Sequence, residues 1–196
     1  GESMSRTLIQ GGTVITMTPG ETGSTSLDIL VEDDRIAAIG DIGRADGAEV
    51  IDATDCIVLP GLIDSHVHTW QTGLRGIAGD WTVPRYMRAM HAGLATYFRP
   101  EDIHIANLIG ALSKLDAGIT TLVDWCHNNP SPDHSDAAID GLVDSGARAL
   151  FLHGSPKPDP KPGQKHFSEV GMPSGEIDRL RKGRFAGDDG LVTLGL

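Results

Sequence analysis

Two histidines stand one residue apart in the stretch Pro60-Gly61-Leu62-Ile63-Asp64-Ser65-His66-Val67-His68-Thr69-Trp70. Side chains on a strand alternate faces, so His66 and His68 are expected to project together, with Asp64 beside them. Two neutral imidazoles at close range suit a borderline divalent ion such as Zn²⁺ or Fe²⁺. A bare His-x-His also serves as two polar residues bonded to loops at a strand end. Here Pro-Gly fixes the turn into an apolar strand and a β-rich segment precedes it, which favours metal ligation by His66 and His68. Asp64 reads either as a carboxylate that orients a ligand histidine or as a cap on the strand–loop junction.

Other chemistry-bearing residues fall near the same strand ends. Trp70 and Gln71 follow the histidine pair directly. Gln71 is a candidate for hydrogen bonding to a heterocycle edge, or packs in its loop. Trp70 can stack on a planar ring, or be buried under the loop. His127 follows a second strand and His153 ends a third, so each is a candidate substrate contact or a histidine bonded to nearby backbone. Asp124 reads as structural and Trp81 as core. His91, His104, His134 and His166 have no partner spacing and are expected to be solvated. Cys126 beside His127 lacks an orienting third group and is not read as a nucleophile. Lys157, Lys161 and Lys165 sit on a long Pro- and Lys-rich loop and read as a solvated lid.

The elements that must position these groups fall into two textures. Residues 6–59 show short apolar runs at Thr7–Ile9, Thr13–Met17, Leu27–Val31, Arg35–Ile39, Glu49–Ile51 and Cys56–Leu59, separated by Gly11-Gly12, Pro19-Gly20, Asp33-Asp34 and Asp46-Gly47. These predict strands and turns. From Pro60 onward strands alternate with helices. Strands are predicted at Leu62–His66, Ile119–Asp124, Arg148–His153 and Leu191–Leu196. Helices are predicted at Val83–Phe98, Glu101–Ala117, Asp136–Ser145 and Ser174–Phe185. The clearest is Glu101–Ala117, where Ile105, Leu108, Ile109, Leu112 and Leu115 share one face and Gly118 follows as its cap.

The β-then-α rhythm argues for parallel strands joined by crossover helices. The expected fold is α/β: the first four or so units of a (β/α)8 TIM-type barrel over 60–196, after a small β module over 4–59. A complete barrel takes about 250 residues, so the N-terminal portion of a longer protein is expected. Gly1-Glu2-Ser3 before Met4 reads as a vector-derived leader.

Composition narrows the partners. The 196 residues carry a net charge of −11, which disfavours nucleic acid and anionic membrane surfaces. No apolar run is long enough to span a bilayer. The chain holds only two cysteines, without CxxC spacing, which fits a reducing cytoplasm.

The stretch PGLIDSHVH, followed by Leu74-Arg75-Gly76 and by AGITTLVD at 117–124, resembles the amidohydrolase superfamily, in the branch of chlorohydrolases and cytosine or guanine deaminases. The resemblance covers nearly the whole chain. It implies that the N-terminal strands are part of a β-sandwich, and that His66 and His68 are the two first-strand ligands of one divalent metal ion. It implies further ligands and acid–base residues on later strands, beyond Leu196. The activity it implies is hydrolysis of a non-peptide C–N bond, in particular deamination of a nitrogen heterocycle. The alternatives are a cyclic amide, imidazolone or chloro-heterocycle hydrolase, or a non-catalytic half-barrel completed by another chain. A small heterocyclic substrate and a homo-oligomeric assembly are expected.

Overall fold

Strand β1 (Arg6–Val14) merges two runs that the sequence pattern separates by a turn at Gly11-Gly12. Gly11 has φ +74°, and the pairing register shifts between Ile9 and Gly12. The glycines therefore make a bulge inside one strand, not a reversal. The computed structural model describes residues 4–21 and 25–196, so the leader reading at Gly1-Glu2-Ser3 lies outside the described residues.

The chain divides into two units, Gly1–Pro60 and Gly61–Leu196. In the first, β2 (Thr25–Glu32) and β3 (Arg35–Gly40) form a hairpin that turns at Asp33, whose φ is +52°. With β4 (Glu49–Asp52) and β5 (Ile57–Val58) they build one sheet in the order β3-β2-β1-β4, with β5 also on β1. Pairing is antiparallel within β1–β2–β3 and parallel from β1 to β4 and β5. Leu8, Val14, Ile29 and Leu30 are buried, whereas Ile36, Ile39, Val50, Ile51 and Ile57 remain exposed.

The second unit is a four-stranded parallel sheet in sequential order: β6 (Leu62–Val67), β7 (Ile119–Cys126), β8 (Arg148–His153) and β9 (Val192–Gly195). The approach of β6 to β7 is close. A Cβ on Gly61 would meet the Thr120 side chain at 2.0 Å, so only glycine fits ahead of this strand.

Predicted helix 83–98 is not continuous. It breaks into α1 (Val83–Tyr86), a wide turn at Met87–His91 and a tight one at Leu94–Tyr97. Gly93, with φ −109° and ψ −98°, is the non-helical link. Helices α2 (Pro100–Asp116), α3 (Pro132–Ser145) and α4 (Ser174–Lys182) follow, and Gly146 (φ +72°) closes α3. Among the described residues no helix is long and apolar enough to cross a membrane.

The apolar row of α2 faces the core only in part, through Leu115. Ile105, Ile109 and Leu112 are exposed, and the buried side is Ile103, Ala106, Asn107, Gly110 and Ala111. Space explains the inversion: a Cβ on Gly110 would meet Thr72 and Thr69 side chains at 2.4 and 2.5 Å. Small residues let α2 approach the turn after β6, while Ile103 and Ala111 join Leu122, Ile139, Leu142, Phe151 and Leu194 in the core.

Candidate functional site

Strand β6 is irregular at the first of the two histidines, His66. Ile63 and Asp64 pair with Thr121 and Leu122, but the next pair is Val67 with Asp124, so three residues on β6 match two on β7. That bulge resets the alternation of faces. Asp64 meets Lys114 of α2 in an ion pair of 2.7 Å, and its Oδ1 accepts the His66 backbone N–H at 3.2 Å. The Lys114 ammonium holds the Asp64 carboxyl below the usual carboxylate range. Strict alternation placed Asp64 beside the histidine rings; the bulge corrects this, because it turns the carboxylate to the helix and uses it to pin the backbone.

His66 and His68 do come together. Their ring centroids are 4.9 Å apart at 79°. His68 Nδ1 lies 2.8 Å from the Trp125 carbonyl oxygen. A carbonyl only accepts, so Nδ1 carries the proton and Nε2 keeps its lone pair for an electrophile. Burial lowers the His68 pKa, which also favours the neutral, ligating form. Two imidazoles fit the donor chemistry of a divalent ion; among the described residues, no group of three His, Cys, Asp or Glu is placed to hold one.

The backbone after His68 is fixed from β7. Buried Asp124 accepts the Thr69 N–H at 2.9 Å, with the Asn107 amide at 3.5 Å. Burial raises its pKa to about 6, against the opposing hydrogen bonds from Thr69. Trp70 is fully buried, and its Nε1–H donates to His127 Nδ1 at 3.1 Å. His127 therefore carries its proton on Nε2. Its ring lies 4.2 Å from His68 and 4.5 Å from His91.

His91 corrects the expectation of a solvated residue. The wide turn at Met87–His91 buries it against Tyr86, Trp70 and His127. Burial, then the nearby charges of Lys157 and His68, push its pKa down to about 4. His127 is depressed further, again mainly by burial. The result is an aromatic cluster of neutral imidazoles beside the histidine pair, with Trp125 at 5.7 Å from His66 and 5.8 Å from His68.

Lys157 also departs from its reading as part of a solvated lid. Its ammonium sits 5.4 Å from the Trp125 ring centroid and 5.9 Å from that of Phe167. Burial lowers its pKa. A cavity of 240 Å³ is lined by His91, His127, Asn128, His134, Phe98 and Lys157, among others.

The remaining sequence candidates make other contacts. Gln71 donates to the Tyr86 hydroxyl at 2.6 Å and lines a separate cavity of 540 Å³ with His68, Arg75 and Tyr86. His153 is buried, with Nε2 3.2 Å from Ser135 Oγ on α3 and Nδ1 without a partner among the described residues. Its bond ties β8 to the helix layer, so the structure does not bring it to the His66–His68–His127 group. His104 pairs with Asp144, and His134 bonds Ser131 and the Phe98 carbonyl. Cys126 is buried, and burial pushes its thiol well up, which leaves it unreactive. Sequence reasoning missed His91 and Lys157. Lys157 carried a usable signal: it lies four residues after the end of β8, where loops at the C-terminal ends of parallel strands meet.

Comparison with known proteins fits this arrangement. The chain is 30% identical over 186 residues to a 5-methylthioadenosine/S-adenosylhomocysteine deaminase of Symbiobacterium thermophilum, covering 93% of this chain and 38% of that protein. Its fold matches that of atrazine chlorohydrolase TrzN from Arthrobacter aurescens TC1, solved with zinc and atraton, at a TM-score of 0.79 and 26% identity, over 96% of this chain and 46% of the other. The chain belongs to the amidohydrolase superfamily. Within that superfamily it is also similar to a 5'-deoxyadenosine deaminase of Methanosarcina acetivorans, at 26% identity over 77% of this chain and 34% of the relative. A guanine deaminase from C. acetobutylicum shares the superfamily fold at a TM-score of 0.70 and 18% identity. No family model matches the chain. The chain spans about two-fifths or less of these curated relatives' length.

Proposed function

We propose that residues 60–196 are the first half of a (β/α)8 barrel and that His66 and His68 hold one divalent metal ion, Zn²⁺ or Fe²⁺. The strands of 4–59 contribute part of a β-sandwich, and their exposed Ile36, Ile39, Val50 and Ile51 suit cover by a second sheet. The activity proposed is hydrolytic deamination of a small nitrogen heterocycle. The observation that carries it is the His68 ring, whose Nδ1–H donates to the Trp125 carbonyl and which is paired with His66 across 4.9 Å. The deaminase relatives support the reaction class.

A bound divalent ion would lower the pKa of a water toward ~7 and supply a hydroxide nucleophile at neutral pH. The residues of this chain do the rest of what it contributes. Asp64 and Asp124 hold the backbone on either side of the ligand pair. Trp70 orients His127 so that its Nε2–H is left to donate. Trp125 offers a half-exposed ring beside both histidines for stacking on a planar heterocycle. Neutral His91 and His127 line the cavity without adding charge. Two imidazoles alone hold an ion weakly, so further donors and the proton-transfer groups come from strands outside this chain.

The chlorohydrolase likeness favours a second reading, displacement of a ring chloride by the same hydroxide. An assay of the protein from its complete reading frame decides between them. Ammonia release from 5'-methylthioadenosine or a related adenine nucleoside supports deamination. Chloride release from a chlorotriazine, without ammonia, supports the second reading.

A further inference from the structure

We infer that Lys157 is an anion-recognising residue of this site, so that the preferred substrate carries a carboxylate or phosphate on the part that reaches the 240 Å³ cavity. The inference rests on the location of the site proposed above and adds the charge class of its substrate. Among the described residues, no carboxylate lies within ion-pair distance of the Lys157 ammonium. Among those residues its one hydrogen bond is a long one of 3.4 Å to the Ser155 carbonyl. The ammonium is instead held between two aromatic rings, Trp125 and Phe167.

A partly buried cation without an anion is costly, and it is retained where an anion arrives with a ligand. The surrounding wall agrees. His134 has both ring nitrogens engaged, and Asn128 donates to the Ala95 carbonyl. Among the described residues, no Asp or Glu lines the cavity. Lys157 therefore gives it a positive charge that no lining carboxylate among the described residues offsets. The ring position above Trp125 and the anion position at Lys157 adjoin one another. That geometry fits a planar heterocycle joined to an anionic side chain.

The test compares S-adenosylhomocysteine, which bears a carboxylate, with 5'-methylthioadenosine, which does not, on the protein from its complete reading frame. Replacing Lys157→Met is expected to lower the ratio of kcat/KM for the first over the second by about tenfold or more, and Lys157→Arg to restore most of it. An unchanged ratio in K157M overturns the inference. If neither nucleoside is turned over, the deaminase reading fails and Lys157 is judged separately. Tryptophan fluorescence is then titrated with acetate and with inorganic phosphate. Saturation by either anion that weakens about tenfold in K157M supports the anion site and names its class. An equal response in K157M, or none in the unaltered protein, overturns it.

Discussion

Asp64 and Lys114 form an ion pair of 2.7 Å between β6 and α2, and the carboxylate that pairs with Lys114 also accepts the His66 N–H. The residue that borders the bulge of β6 thus holds the backbone at the first histidine of the pair. Replacing Lys114→Met removes only a partly exposed ion pair and is expected to cost about 0.5–1 kcal/mol. Asp64→Ala also frees the His66 N–H, and about 1–2 kcal/mol is expected. Urea unfolding of both variants checks the order; equal losses would contradict the pinning role of Asp64.

Asp124 is expected to matter more. Asp124→Ala leaves the buried Thr69 N–H without its acceptor and should cost about 2–4 kcal/mol. The pH dependence has a definite sign. The folded pKa, about 6, lies above the ordinary value of 3.8. Between those values the folded state binds more protons than the unfolded one, so this group's contribution falls as pH rises from about 4 to about 6. The shift of roughly two units corresponds to at most ~3 kcal/mol. Asp124→Asn keeps an acceptor and removes the titration. Its stability relative to the unaltered protein should therefore rise across that window, as followed by thermal unfolding at pH 4, 5, 6 and 7.

His91 works in the opposite direction. Its folded pKa, about 4, lies below the ordinary 6.5. The stability it contributes is complete above pH 6.5 and is lost as pH falls through that range to about 4. His127 is depressed in the same sense. His91→Gln should flatten the acid limb of a Tm-against-pH curve between pH 6.5 and 4.5, by up to ~2–3 kcal/mol in stability. A curve parallel to that of the unaltered protein would show that His91 is not held neutral by burial.

The parallel strands were legible because their apolar runs are short, β-branched and bounded by helix-length segments. Arg148–His153 was read to the residue. The direction of Asp64 was not, because a bulge depends on how β6 matches β7, and β7 begins more than 50 residues later. The buried face of α2 was misread for a related reason. Period alone selects Ile105, Leu108, Ile109, Leu112 and Leu115 as the inward row; Leu115 does pack against the core, but Ile105, Ile109 and Leu112 do not, because the gap beside Thr69 and Thr72 admits only small residues. His91 was hidden by a broken helix. The wide turn at Met87–His91 rotates it inward, where a regular helix would have left its direction open. The His66–His68 pairing was legible because the two residues stand one apart in sequence, and their rings meet even though His66 lies within the bulge.

The most direct measurement is the metal content of the purified protein, expressed from its complete reading frame, for the unaltered form and for His66→Ala and His68→Ala. Atomic emission should find about one divalent ion per chain in the first, and a loss of more than about tenfold in each variant at matched folding, judged by circular dichroism. Full metal occupancy in either variant would contradict the account.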